Sequence, residues 1–218
     1  MSDRGYISLK NKAFTELTEK KSVFYCTVSP VSTEEAASEF INSVKKKYSD
    51  ATHNVYAYII RESNITRFSD DGEPHGTAGI PVLDVLRKEG ITDAAAVVTR
   101  YFGGTLLGAG GLVRAYTASA KSAVEKAGTV MWVRFASFYV KASYADYQKL
   151  TYLFKTSGVT VKNVEYAETV TAECRIEEEQ FISIKADISE TTNGKAELSQ
   201  SEIRFLPKEK EFLPYENI

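Results

Sequence analysis

The stretch RYFGGTLLGAGGLVRAY, residues 100–116, carries a buried strand into a helix through a glycine-rich connection. Ala94 to Phe102 is apolar and strand-sized, Gly103 to Gly111 reads as the connection, and Leu112 to Lys126 reads as a helix that Gly128 stops. A strand that feeds a helix in this way belongs to a chain of mixed α and β elements.

Toward the N-terminus, Ala78 to Lys88 is expected to be a helix ended by Gly90, with Thr77 as its cap. Pro81 is tolerated there because its position falls in the first turn. Val55 to Ile60 is a strand, followed by an irregular acidic stretch. Before it, Ser32 and Glu35 suggest a capped helix whose buried stripe is Ala36, Phe40, Val44 and Tyr48, and Lys45 to Lys47 form a solvated last turn. Phe14 to Thr18 and Val23 to Val28, around the charged turn Glu19 to Lys21, read as a hairpin. The order is β-β-α-β-α-β-α.

Toward the C-terminus the pattern begins again. A strand near Trp132 to Val140 precedes a helix that Ser143 caps and that presents Tyr147, Leu150 and Phe154. Strands Val159 to Val164 and Thr169 to Ile176, a helix with Phe181, Ile184 and Ile188, and the strand Leu198 to Leu206 follow. That is β-α-β-β-α-β, a ferredoxin-like arrangement. The expected organisation is a first domain over 1–130, a second over 131–206 and a charged tail over 207–218.

Composition narrows the function classes. Among 218 residues, 27 Lys and Arg against 29 Asp and Glu give a formal charge of -2, so attraction to a polyanion must be local. The start has no apolar signal region, and no run approaches the roughly 20 residues of a membrane span. Cys26 and Cys174 form neither a disulfide framework nor a zinc spacing; both alternate with apolar neighbours and read as buried thiols in a reducing, cytoplasmic setting.

Two segments have chemistry to offer. In FSDDGEPHGTAG, residues 68–79, the groups Asp70, Asp71 and Glu73, with His53 upstream, form a possible acidic-loop site. The order matches no established metal loop, and turn amides are the structural alternative for both aspartates. In residues 100–116, helix amides and the glycines Gly103, Gly104, Gly110 and Gly111 would receive an anion, with Arg100, Arg114 and the nearby Arg67 as cationic partners. The pattern is neither a dinucleotide fingerprint nor a Walker loop, no cofactor is implied, and the glycines can equally serve tight packing. An alternative for the arginines is pairing with Asp70, Asp71 or Glu73 across the two loops. Tyr101 and Phe102 are aromatic neighbours able to stack on bases if exposed.

SDDGEPHGTAG followed by VVTRYFGGTLLGAGGLVRAY resembles the signature of the YigZ/IMPACT family, with His53 and Tyr56-Ala57-Tyr58 also in place. The resemblance covers roughly residues 15 to 128 as an IMPACT-like domain, and about 131 to 206 as the carboxy-terminal domain of bacterial YigZ members. It implies a ribosomal protein S5 domain 2-like fold for the first domain and a ferredoxin-like second domain similar to one of elongation factor G. It also implies a link to translation. The expected function is therefore RNA or ribosome binding through the arginine-flanked surface. The alternatives are an enzyme acting on a small phosphorylated or amide substrate at the acidic loop, and a protein-protein adaptor. His75 falls where the family pattern is variable, so a shared site would not be built on it.

Overall fold

A computed structural model describes residues 5–208 and separates the chain into two compact units, one of Tyr6–Met131 and the other of Gly5 together with the residues from Trp132 onward. The fold is two-domain α+β.

The N-terminal part of the chain contains β1 (Gly5–Leu9), which from Tyr6 on belongs to the first unit, and then β2 (Ala13–Glu19), β3 (Ser22–Pro30), α1 (Glu34–Lys47), β4 (His53–Ile60), β5 (Ile65–Ser69), α2 (Gly79–Lys88), β6 (Ala94–Tyr101) and α3 (Ala109–Ala127). Its antiparallel sheet runs β2-β3-β6-β4-β5. Strand alternation sends Phe24, Cys26, Val28, Val55, Ala57, Ala96 and Val98 to one face, where α2 buries Val82, Leu83 and Leu86 and α3 buries Leu112, Tyr116 and Ala120. On the opposite face α1 packs Ala37, Phe40, Ile41 and Val44 against Tyr58, Ile60, Ala95 and Val97. That helix covers the β4 and β6 side of the face.

Two strands lie outside the expected order. β1 is short and weakly apolar, and tertiary contacts define it: Leu9 enters the core, and the Ile7 carbonyl accepts the Thr92 amide at 2.9 Å. β5 sits between turn residues that mask its alternation, and it forms the sheet edge beside β4. The cap of α1 also shifts by one residue, because the Thr33 hydroxyl, not Ser32, accepts the Ala36 amide at 3.1 Å.

The second unit contains β7 (Thr129–Ala142), α4 (Tyr144–Thr156), β8 (Thr160–Tyr166), β9 (Val170–Glu177), α5 (Glu178–Thr191) and β10 (Glu197–Pro207). Antiparallel pairing sets β8, β9, β7 and β10 side by side in that order, the ferredoxin-like topology, and β1 joins the same sheet by pairing with β7, so that sheet has five strands and not the four of the ferredoxin-like pattern alone. Both helices pack on one face, joining Tyr147, Leu150, Phe154, Ile184 and Ile188 to Phe138, Val140, Ala172 and Ile176. Ser143 caps α4 by accepting the Asp146 amide at 3.2 Å. Both thiols are buried, and burial pushes the Cys174 pKa up to about 12. Pro207 closes β10, and residues 209–218 of the expected tail lie outside the described residues. Among the described residues no helix is long and apolar enough to cross a membrane.

Candidate functional site

The acidic segment after β5 folds back on its own backbone. Asp70 Oδ2 accepts the Gly76 amide at 2.9 Å, and Oδ1 accepts those of Ala78 and Gly79 at 3.2 and 2.7 Å. Asp70 therefore caps α2 from eight to nine residues away. The hydroxyl of Thr77, the cap expected from sequence, instead donates to the Pro74 carbonyl at 2.7 Å. Burial alone would raise the Asp70 pKa, but the amides of Gly76, Gly79 and Ala78 outweigh it and hold the carboxyl below its ordinary value.

Asp71 has a left-handed backbone, φ 46°, in the turn after β5. Its oxygens accept Lys45 Nζ at 2.8 Å and the Asn54 amide at 2.7 Å. Burial raises its pKa too, and the Lys45 and Asn54 contacts bring it below normal. Lys45 is thus tied to the acidic loop and is not part of a freely solvated helix end. The Asp71 carbonyl lies 2.8 Å from His53 Nδ1, and because a carbonyl only accepts, that nitrogen carries the proton.

Glu73 is the centre of a buried polar group. Arg100 Nη1 donates to its Oε1 at 2.6 Å, the Tyr116 hydroxyl donates to the same oxygen at 2.8 Å, and His53 Nε2 lies 3.8 Å away. Burial, then the Glu73 charge, pushes the Tyr116 pKa far above its ordinary value, so the phenol stays protonated and donates. Arg100 Nη2 reaches the Ser22 hydroxyl at 3.3 Å, and the same hydroxyl accepts the Gly103 amide at 3.2 Å. One guanidinium therefore joins the acidic loop, the β2–β3 hairpin and the glycine-rich loop. Arg100 and Glu73 are only 5% and 8% exposed.

The glycine-rich connection is shorter than its sequence suggests. Gly108 caps α3 at φ 71°, so Gly110 and Gly111 lie in the first helical turn, and the Leu112 amide is already bonded to the Gly108 carbonyl at 2.9 Å. The first amides of a helix have no intrahelical acceptor, and α3 carries no acidic residue in its first turn. Arg114 is exposed, and its Nη1 lies 4.0 Å from where a Cβ on Gly110 would stand. At Gly103 a Cβ would fall 2.0 Å from the Lys21 carbonyl carbon, so only glycine fits.

The arginines expected to share a surface are dispersed. Arg67 is exposed on β5, opposite Tyr58 and 3.9 Å from Glu34 of α1, on the α1 side of the sheet. Arg100 is inside on the other side, and Arg114 is outside on α3. Arg100 differs from the expected solvent-facing anion contact because a strand-end arginine beside a buried carboxylate is held by it. His53, Asp71 and Glu73 do come together, with Asp70 adjacent, but their polar atoms face amides and cations. Among the described residues no group of three or more His, Cys, Asp and Glu is placed to hold a metal ion. Sequence reading missed Tyr116 and Ser22. Tyr116 lies one helical turn beyond Leu112 on the buried side of α3, a spacing that carries the signal.

The Impact N-terminal domain family matches residues 20–124, and a domain of unknown function, DUF1949, matches residues 140–195. The chain is 40% identical to the IMPACT family member YvyE of Bacillus subtilis (strain 168) over 205 residues, 94% of either chain. It is 31% identical over 182 residues to the IMPACT family member YigZ of Escherichia coli (strain K12), covering 82% of this chain and 89% of that one. A solved crystal structure of a hypothetical protein superimposes with a TM-score of 0.59 at 28% identity, covering 92% of this chain and 99% of the other. The segment that holds Asp70, Glu73, Arg100 and Arg114 thus lies wholly inside the matched first domain, and the chain belongs to the IMPACT family.

Proposed function

We propose that this IMPACT family protein binds RNA or the ribosome and acts in translation, receiving phosphate on the open N-terminus of α3. The observation that carries the reading is Arg114, an exposed guanidinium beside glycine-lined amides in a first turn without acidic residues. Helix dipole, free amides and a planar donor fork favour the same ligand, a phosphate oxygen. Gly103 and Gly104 shape the approach, while Arg100 holds the loop from beneath and makes no contact with ligand. Arg67 lies on the other side of the sheet and is not part of this surface.

With a formal charge of -2, the chain has no global field to attract nucleic acid, so affinity must come from a few local contacts and fall with salt. The test is binding of ribosomes, ribosomal RNA and single-stranded RNA across a salt series, with wild type and Arg114→Ala. Expected is salt-sensitive binding that Arg114→Ala weakens roughly tenfold at unchanged melting temperature, as for loss of one charge-assisted contact. Absence of salt-sensitive binding to all three overturns the reading.

A further inference from the structure

A group of aromatic rings lies on the sheet face that α1 leaves uncovered. Tyr25 of β3 is at its centre, with ring centroids 5.6 Å from Phe14 of β2, 5.6 Å from Tyr48 after α1 and 5.9 Å from Tyr101 of β6. The strand register puts Glu16 opposite Tyr25 and Val23 opposite Tyr101, so these side chains share one face, the reverse of the one that α2 and α3 bury. Phe14 is 40% exposed and the three tyrosines are half-buried. The hydrophobic core on the α2 and α3 side is complete without them.

Cations stand directly over the rings. Lys47 Nζ is 5.9 Å from the Phe14 centroid and 4.8 Å from that of Tyr48, and Lys12 lies 5.4 Å over Phe40 at the edge. At the far end of the same strands, the two-residue turn Lys20–Lys21 holds both lysines at positive φ, 45° and 68°. Asn-Gly is the usual occupant of such a turn, so two exposed lysines are kept there against backbone preference.

We propose that this face is a stacking platform for single-stranded nucleic acid, with bases on Phe14, Tyr25 and Tyr101 and phosphates met by Lys12, Lys47 and the Lys20–Lys21 turn. The choice of ligand rests on the RNA-binding reading above; the site is separate from the α3 terminus. An aliphatic protein patch would strip water from Lys47 without supplying an anion. A nucleotide supplies a ring for the aromatic face and a phosphate for the ammonium. The Tyr101 hydroxyl donates to Asp50 at 2.7 Å, which fixes the tip of a ring that is half-buried and set at 70° to Tyr25. Glu16 and Asp50 stand beside the rings and exposed Glu19 flanks the Lys20–Lys21 turn; carboxylates accept hydrogen bonds from the exocyclic amines of bases. Paired bases are sealed within their own stack, so a duplex cannot use the platform.

The test is anisotropy of a labelled adenine- and cytosine-containing RNA dodecamer, single-stranded or paired, on the full chain and on Phe14→Ala, Tyr25→Leu, Tyr25→Phe and Arg114→Ala. Tyr25→Leu keeps apolar volume and loses the ring, Tyr25→Phe keeps the ring, and Phe14→Ala alters an exposed strand position with little demand on the fold. Expected is preference for the single strand, a loss of roughly fivefold to hundredfold in Phe14→Ala and Tyr25→Leu, and near-normal binding in Tyr25→Phe. Loss in those two variants with Arg114→Ala unaffected upholds the platform and overturns the α3 surface. Loss in Arg114→Ala alone overturns the platform and keeps the α3 surface. Preference for duplex, no RNA binding, or a change in self-association with oligonucleotide binding intact also overturns the platform.

Discussion

Arg100 and Glu73 illustrate how one buried pair can hold three backbone segments. Without its guanidinium, Glu73 would keep a buried charge with the Tyr116 hydroxyl as its close donor. Removing one partner of a buried ion pair costs about 3 to 5 kcal/mol, so Arg100→Ala should lower the urea midpoint by that equivalent. Arg100→Lys should fall between, because one ammonium cannot bond Glu73 and Ser22 in the geometry of two guanidinium nitrogens. Wild-type stability in Arg100→Ala would remove the hub role. Asp70 adds a pH-dependent contribution. Its folded pKa is lowered, so its stabilisation is fully present above the unfolded value of about 4 and is lost as pH falls through the lower folded value. Asp70→Ala should cost about 1 to 2 kcal/mol at neutral pH, and its melting temperature should fall less steeply than that of wild type in acid. A parallel acid limb in both proteins would show that the cap is not ionic. Sequence made the residue types at these positions legible, and even the possibility that arginines pair across the two loops. It could not select Glu73 for Arg100, because that choice depends on a register between β4 and β6 that pairs His53 with Arg100.

Elements carry a different kind of constraint, visible where the β2–β3 hairpin touches the glycine-rich loop. Gly103→Ala drives a Cβ into the Lys21 backbone at 2.0 Å and should cost about 3 kcal/mol or more, since a backbone segment must move. At Gly104 nothing lies within 4 Å, and the strain comes from φ 80°, so Gly104→Ala should cost only about 1 kcal/mol. Equal effects in chemical denaturation would mean that the close approach is not rigid. Lys20→Asn with Lys21→Gly should stabilise the hairpin by about 1 kcal/mol by relieving left-handed backbone at two lysines. The same change should weaken single-stranded RNA binding if the turn meets phosphates. Periodicity made α4 readable, including its Ser143 cap, because its stripe and cap are local. The start of α3 was not readable, because Ala109-Gly110-Gly111 has poor helix propensity and is helical only through the Gly108 turn and packing of the following residues.

At the scale of the whole molecule, the cores divide with the chain. One is built from residues between Leu9 and Ala127, with α1 adding its own cluster on the far face, and the other lies between Phe138 and Leu198. The alternation of β and α patterns, restarting after Gly128, made two units legible, whereas β1 was not, because its evidence in sequence is a pentapeptide whose pairing partner, β7, and core contacts are remote in the chain. We expect residues 1–130 to fold when expressed alone. A domain of that length buries roughly two thirds of its chain's surface, enough for a cooperative core, while the second unit, of about half that length, is nearer the limit of about 60% buried. The fragment should therefore keep its sheet and helix signal by circular dichroism and unfold in one urea transition close to that of the full chain. Both candidate RNA faces lie within it, Arg114 on α3 and Tyr25 on β3, so it should also retain the single-stranded RNA affinity of the full chain within about threefold. A fragment that aggregates while the full chain is folded would mean that the first core depends on the second unit. A folded fragment with no RNA affinity would move the binding surface to the ferredoxin-like unit.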